Sequence, residues 1–157
     1  MRVLSVDPGY ERLGVAVMEH RDGKEVLLYS SCIETPKNIP LPERLHQLGQ
    51  AFEILLREHA PDAVAVETLF FNKNQKTAMA VAEARGIVLY LAQQARCSVH
   101  EFSPQQIKVA VTGYGNSDKK AVTEMVLRLV PNSPKKAHDD EYDAIAVGVT
   151  CLAHSRH

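Results

Sequence analysis

The sequence predicts an α/β fold with a mixed five-stranded β-sheet, in which three antiparallel strands come first and parallel strands follow. The N-terminal part contains three apolar runs of strand length, and later short apolar runs alternate with segments of helical periodicity. Antiparallel hairpins followed by β-α-β units give a mixed sheet with helices on its faces. The chain has 157 residues, 45% hydrophobic and 24% charged, so we expect one globular domain over residues 1–157.

The first three strands are predicted from alternating hydrophobicity and two turn signals. The apolar runs cover residues 2–7, 13–18 and 26–33. The first run alternates and ends at an Asp-Pro-Gly turn that begins with Asp7. Asp22-Gly23 lies between the second and third runs and is a strong hairpin signal. These features predict a three-stranded antiparallel meander.

The remainder of the chain predicts five helices and two more strands. We expect helices over residues 42–59, 76–95, from Pro104 to about residue 112, over 118–130 and from about residue 139 onward, and strands over 63–67 and 98–102. Ser103 is a suitable N-cap, with Pro104 at the first helical position. The helix over 76–95 is rich in alanine and places Val81, Ala84 and Val88 on one face, where another element could approach closely.

Cysteine usage and hydropathy predict a cytoplasmic protein that has no contact with a membrane. Cys32, Cys97 and Cys151 are odd in number and far apart, and no CxxC motif occurs, so we expect reduced thiols and no structural zinc site. No uninterrupted apolar stretch reaches the length of a membrane span, and the apolar N-terminal run is too short for a signal peptide.

The charge is unevenly distributed although the net charge is only −1. Residues 103–137 contain six basic and two acidic residues, a balance of +4, whereas residues 138–143 contain four acids and no Lys or Arg. A basic stretch that runs into an acidic cluster indicates a polyanion bound beside a metal site. Taken alone, the charges favour the simpler interpretation, two solvated surface segments.

Four carboxylates occupy positions where a metal site can form. Asp7 and Glu67 end predicted strands, and Asp140 and Asp143 lie three residues apart in the first turn of the last helix. Carboxylates at the edge of a core repel one another unless a cation compensates them, and Mg²⁺ prefers oxygen ligands. Structural alternatives exist for three of these positions: Asp7 could begin a turn, Glu67 could end a strand in solvent, and Asp139 or Asp140 could cap the last helix.

Several motifs from one end of the chain to the other are shared with a known family. They are Asp7-Pro8-Gly9 with residues 13–16, AVETLFFNKN at 65–74, the segments 78–86 and 106–108, TGYGNSDKKAV at 112–122 and DxxDAIAVG at 140–148. On these residues the chain resembles the RuvC family of Holliday-junction resolvases, within the ribonuclease H-like superfamily. The resemblance implies a ribonuclease H-like fold.

The resemblance also implies a function. It implies a homodimeric endonuclease that resolves four-way (Holliday) DNA junctions by paired nicking during recombination and repair, leaving 5′-phosphate ends. Two Mg²⁺ ions per subunit are implied, with Mn²⁺ as a substitute. Branch-migration proteins RuvA and RuvB are implied as partners by the family alone, and the helix over 76–95 is implied as the dimer interface.

Family residues carry over position by position. The resemblance implies Asp7, Glu67, Asp140 and Asp143 as catalytic metal ligands, and Phe70, Lys108, Lys119 and Lys120 as DNA-binding residues. The family varies between Asp and His at the third acidic position, so His138 and Asp139 remain alternatives to Asp140. For Phe70 and Phe71, a place in the core is the structural alternative.

Three other functions remain to be distinguished. They are a ribonuclease H-like nuclease acting on RNA or RNA·DNA hybrid, a phosphotransferase of the actin and sugar-kinase type, and an inactive DNA-architecture module. Phosphotransferases of that type usually need two such domains around ATP, and four retained acids disfavour an inactive module.

Overall fold

The computed structural model describes residues 1–69 and 75–155. Its elements in chain order are β1 (Arg2–Asp7), β2 (Arg12–Arg21), β3 (Lys24–Glu34), α1 (Leu41–His59), β4 (Ala63–Glu67), α2 (Gln75–Gln94), β5 (Ser98–Phe102), α3 (Pro104–Thr112), α4 (Lys119–Leu129) and α5 (Asp139–His154). The strands form one sheet in the order β3-β2-β1-β4-β5. β2 is antiparallel to both β1 and β3, whereas β4 is parallel to both β1 and β5. The predicted element order and mixed sheet are confirmed.

Local sequence signals account for the element boundaries. Asp22 and Gly23 have φ values of 49° and 79°, the left-handed conformations that a tight two-residue hairpin requires. Ser103 and Gln106 form a capping box at the start of α3, in which the Gln106 backbone N–H donates to Ser103 Oγ at 3.1 Å. Asp118 caps α4 by accepting a hydrogen bond of 2.8 Å from the Ala121 backbone N–H.

Two hydrophobic clusters lie on opposite faces of the sheet. Helices α1 and α2 cover the face that contains Leu4 and Val6, and helices α3, α4 and α5 cover the face that contains Val3 and Ala65. Because side chains alternate along a strand, Asp7 shares a face with Val3, and Glu67 shares a face with Ala65. Both acids therefore project on the α5 side of the sheet.

The face of α2 that was predicted to receive another element is occupied by the protein's own core. Ala84 and Val88 are fully buried in the cluster shared with α1 and the sheet. If α2 forms a dimer interface, as the resemblance implies, the face that contains Ala84 cannot form it, and the expectation that this alanine-rich face is open to a partner is wrong. Small residues there allow α2 to approach its own sheet closely, and a different face of α2 is turned to solvent.

The structure also shows the surroundings of the cysteines and the apolar character of the helices. All three cysteines are free, with Cys97 and Cys151 buried and Cys32 half-buried. Within residues 1–69 and 75–155, none of the helices combines the length and apolar character required to cross a bilayer.

Candidate active site

Asp7 and Glu67 are brought together by the parallel pairing of β1 and β4. Val6 of β1 lies opposite Val66 of β4, and each acid is one residue further along its strand. They are also on the same face of the sheet, as alternation along the strands requires. Two residues separated by 60 positions thus end adjacent strands. The sequence predicted that each acid ends a strand, and the structure adds that the two strands are neighbours.

Helix α5 brings the other two acids to the same strand end, because glycines allow it to lie close to the sheet. Gly14 pairs with Asp7 across the β1–β2 ladder, and a Cβ at Gly14 would overlap the carbonyl oxygen of Asp140. Further along α5, a Cβ at Gly148 would lie 2.8 Å from Ser5 Oγ. These two close approaches place the first turn of α5 over the end of β1.

Burial and mutual repulsion disfavour the charged forms of these carboxylates. Burial raises the pKa of Asp7 to about 8, with further contributions from Asp143, Glu67 and Asp140. Burial, followed by the charge of Asp143, raises the pKa of Glu67 to about 7. The pKa of Asp143 is also raised, by burial above all, although Lys119 opposes this. The acids form one electrostatically coupled group that favours a compensating cation.

Two basic side chains compensate part of this charge. Lys119 Nζ, in the first turn of α4, lies 2.9 Å from Asp143 Oδ2 and 3.5 Å from Asp139 Oδ2. Burial lowers the pKa of Lys119, but its hydrogen bond to Asp143 and the neighbouring negative charges outweigh this effect, and the pKa is raised overall. On the other side, Arg12 Nε lies 2.9 Å from Asp140 Oδ2.

A cavity of about 190 Å³ opens beside the acids. Its lining residues come from four elements, β4, α3, α4 and α5, and are Glu67, Pro104, Ile107, Lys108, Lys119, Val122, Asp143 and Ala146. Lys108 and Lys119 therefore lie in the same cavity as Glu67 and Asp143. Lys120 is directed elsewhere, because its side chain is largely exposed and its Nζ lies 4.0 Å from Glu124 Oε1.

The three alternatives for the third acidic position have different surroundings. His138 is the N-cap residue of α5, and its Nε2 lies 2.9 Å from Glu34 Oε1, which directs the ring toward β3. The side chain of Asp139 is 73% exposed. Asp140 is more enclosed, with a side chain that is 25% exposed, and it is the one of the three whose charge contributes to the raised pKa of Asp7.

The acidic group suits a hard divalent cation, although it is not a preassembled cage. Among residues 1–69 and 75–155, no three His, Cys, Asp or Glu side chains already surround one point closely enough to hold a metal ion. Lys119 instead provides the positive charge between Asp139 and Asp143. Asp140 Oδ2 is enclosed and has no well-aligned hydrogen bond. Buried, mutually repelling oxygen donors of this kind fit Mg²⁺ or Mn²⁺.

The loop between α3 and α4 is held by its own hydroxyl groups. Thr112 Oγ1 lies 2.6 Å from Ser117 Oγ, and Ser117 Oγ donates to the Tyr114 carbonyl oxygen at 2.8 Å. These hydroxyl groups thus fix the loop that connects α3, which contains Lys108, to Lys119 at the start of α4. Phe70, to which the resemblance assigns DNA binding, and its neighbour Phe71 lie outside the described residues.

Arg12 is the site residue that sequence reasoning missed, although strand alternation could have identified it. Gly14 lies opposite Asp7 in an antiparallel pair, so the two residues face the same side of the sheet. Arg12 is two residues before Gly14 on β2 and therefore shares that face. Alternation therefore indicates that Arg12 lies on the same face of the sheet as Asp7, whereas its contact with Asp140 depends on the position of α5.

Comparisons with known proteins find relatives that match almost the whole chain. The sequence profile of the family described as crossover junction endodeoxyribonuclease RuvC matches residues 3–151. A crossover junction endodeoxyribonuclease RuvC from Thermosipho melanesiensis is 42% identical over 153 residues, which cover 98% of this chain and 97% of that protein. A RuvC from Desulfitobacterium hafniense is 40% identical over 99% of this chain and 93% of its own length.

Solved structures show the same fold. Thermus thermophilus RuvC in complex with a Holliday junction substrate superposes with a TM-score of 0.92 and 30% identity, over 99% of this chain and 95% of that one. The yeast mitochondrial Holliday junction resolvase Ydc2 has a TM-score of 0.71 at 13% identity, covering 96% of this chain and 77% of its own, and shows the fold alone. The ribonuclease H-like sheet expected from the sequence is therefore confirmed.

Proposed function

This chain belongs to the RuvC family of crossover junction endodeoxyribonucleases, and we propose that it resolves four-way DNA junctions by metal-dependent paired nicking during recombination and repair. The observation that carries the proposal is the meeting of Asp7, Glu67 and Asp143 from three distant segments beside a cavity that also contains Lys108 and Lys119. The proposal treats residues 1–157 as one nuclease domain.

The proposed metal ligands are the four carboxylates that the sequence identified, Asp7, Glu67, Asp140 and Asp143. Their burial and mutual repulsion support a role as ligands, because a cation would relieve both. When bound there, two Mg²⁺ ions, or Mn²⁺ in their place, would activate water for in-line attack on a phosphodiester and stabilise the leaving oxygen, giving 5′-phosphate ends. Of the three alternatives for the third ligand, the enclosed Asp140 is the best supported.

The lysines of the cavity are proposed to hold the DNA backbone. Lys108 and Lys119 both line the cavity beside Glu67 and Asp143, so a phosphate that reaches the acids also meets two ammonium groups. Lys119 would exchange its contact with Asp143 for a phosphate oxygen. Lys120 is proposed to contact DNA outside the cavity, and Phe70 to act at the junction centre.

A homodimer is proposed because paired nicking requires two active sites related by symmetry. The outward face of α2 supports this, since Met79 is 68% and Tyr90 is 67% exposed. At Gly86, which lies between them, a Cβ would have no neighbouring atom within 4 Å. A second copy of this helix could therefore approach closely at Gly86 while the two apolar side chains become buried.

The remaining proposals rest on the family alone. Partnership with the branch-migration proteins RuvA and RuvB, and a location in the cytoplasm, are expected of a resolvase that follows branch migration. A pull-down with purified RuvA–RuvB on junction DNA, compared with linear DNA, tests the partnership.

A cleavage assay tests the central proposal. A four-way junction, a linear duplex and an RNA·DNA hybrid of matched sequence are incubated with the protein, with Mg²⁺ or with a chelator. We expect paired nicks in the junction with Mg²⁺ and none with the chelator. Equal cleavage of linear duplex, or preferred cleavage of the hybrid, would contradict junction specificity and favour the ribonuclease alternative.

A further inference from the structure

Arg12 reaches the acidic group from the side opposite the cavity lysines. It is the first residue of β2, and its Nε lies 2.9 Å from Asp140 Oδ2 in the first turn of α5. Lys119 approaches Asp143 from α4 instead. Each of the two α5 acids thus has its own basic partner, and the partners come from different elements.

The contact between Arg12 and Asp140 is electrostatic rather than strongly directional. Asp140 Oδ2 is enclosed and has no well-aligned hydrogen bond, although the guanidinium Nε is only 2.9 Å away. The Arg12 side chain is half exposed, so it can move into solvent without losing the burial of a large apolar surface. Arg12 is the exposed partner of the pair, so water can solvate its guanidinium once the contact opens, whereas the enclosed Asp140 then needs another cation beside it.

We propose that Arg12 is the counter-ion of Asp140 in the metal-free protein and that a divalent cation displaces it. Arg12 is then a positioning residue that sets how tightly the acidic group binds metal. In the metal-free protein it neutralises one of four crowded carboxylates. When metal binds, Asp140 turns from the guanidinium to the cation, and the Arg12 side chain moves to solvent. This inference rests on the proposed metal site.

The affinity for Mn²⁺, measured in the absence of DNA, tests the inference without any cleavage. Electron paramagnetic resonance reports the concentration of unbound Mn²⁺ during the titration. Replacing Arg12 with Gln removes the competing charge, and we expect Mn²⁺ to bind about three- to fivefold more tightly, the range for loss of one exposed ion pair. Arg12→Lys should bind Mn²⁺ as the wild type does. Lys37→Gln is the matched control, because Lys37 Nζ contacts Glu11 Oε2 at 3.5 Å and its removal changes the net charge equally.

A double-mutant cycle distinguishes the specific contact from general attraction. In an Asp140→Asn background, Arg12→Gln should leave the Mn²⁺ affinity unchanged, because its partner is already neutral. The inference would be overturned if Arg12→Gln bound Mn²⁺ no more tightly than the wild type. It would also be overturned if Arg12→Gln raised the Mn²⁺ affinity equally in the Asp140→Asn background, or if Lys37→Gln raised it by the same factor. A wild-type protein that binds no Mn²⁺ would overturn the proposed metal site and this inference with it.

Discussion

Replacing Asp7 with Asn should stabilise the metal-free protein while abolishing cleavage. Asp7 ends β1, is buried, and faces the charges of Asp143, Glu67 and Asp140, which together raise its pKa to about 8. In an unfolded chain the pKa of the same carboxyl is about 3.9. Asn keeps the size of the side chain and removes both the buried charge and the repulsion.

The expected stabilisation depends on pH with a definite sign. Below about pH 4 the carboxyl is protonated in both the folded and the unfolded state, so it has no effect on the free energy of unfolding. Between about pH 4 and pH 8 the unfolded chain releases the proton and the folded protein retains it, so wild-type stability falls as pH rises. The advantage of Asp7→Asn should therefore be near zero at pH 4 and largest near pH 8.

The magnitude follows from the size of this pKa difference. Between about pH 4 and pH 7, proton release from the unfolded chain lowers the wild-type free energy of unfolding by at most about 4 kcal/mol, at 1.36 kcal/mol per pH unit. Because Glu67 and Asp143 share the repulsion, and because an amide fits the site less well, we expect about 1–3 kcal/mol. For a chain of this length that raises the melting temperature by about 3–10 °C.

Thermal unfolding of the two proteins in a chelator, at pH 4 and at pH 7.5, measures the effect. Asp22→Asn is the control, since Asp22 is exposed in the β2–β3 turn and the change in charge is the same. Added Mg²⁺ should reduce the difference in melting temperature between Asp7→Asn and the wild type, because it stabilises the wild type. A variant that is less stable than wild type at pH 7.5 in chelator, or equally stabilised at both pH values, would refute the reasoning.

Three further predictions concern activity, assembly and packing. Glu67→Gln should lower the junction cleavage rate by about 10³-fold, roughly 4 kcal/mol of transition-state stabilisation, while junction affinity without metal is retained; wild-type cleavage in Mg²⁺ would contradict the site. Tyr90→Glu on the outward face of α2 should give monomers in sedimentation without loss of stability, whereas Ala84→Glu should unfold the protein. If the Tyr90→Glu variant sediments as a dimer, the interface lies elsewhere. Gly148→Val should destabilise the protein by about 1–3 kcal/mol in urea unfolding, because the added side chain forces α5 away from Ser5 and Met18. An unchanged urea midpoint would show that α5 can shift without cost.

Sequence by itself determined the elements and their order, because those signals are local. Periodicity, the Asp22-Gly23 turn and the Ser103 cap each depend on a few neighbouring residues, and the structure has them where they were predicted. The carboxylates at strand ends were also identifiable, since an acid directly after an apolar run must lie at the edge of the core. The family motifs then assigned these acids to one site.

Tertiary structure decided which faces meet. The small residues of α2 could pack on a second copy of the chain or on the protein's own sheet, and periodicity cannot distinguish these two apolar partners. The burial of Ala84 shows that they pack on the sheet. The contact between Arg12 and Asp140 likewise joins residues 128 positions apart, and it depends on how closely α5 approaches Gly14. The pKa values of Asp7 and Glu67 have the same origin, because burial and neighbouring charge exist only after the chain has folded.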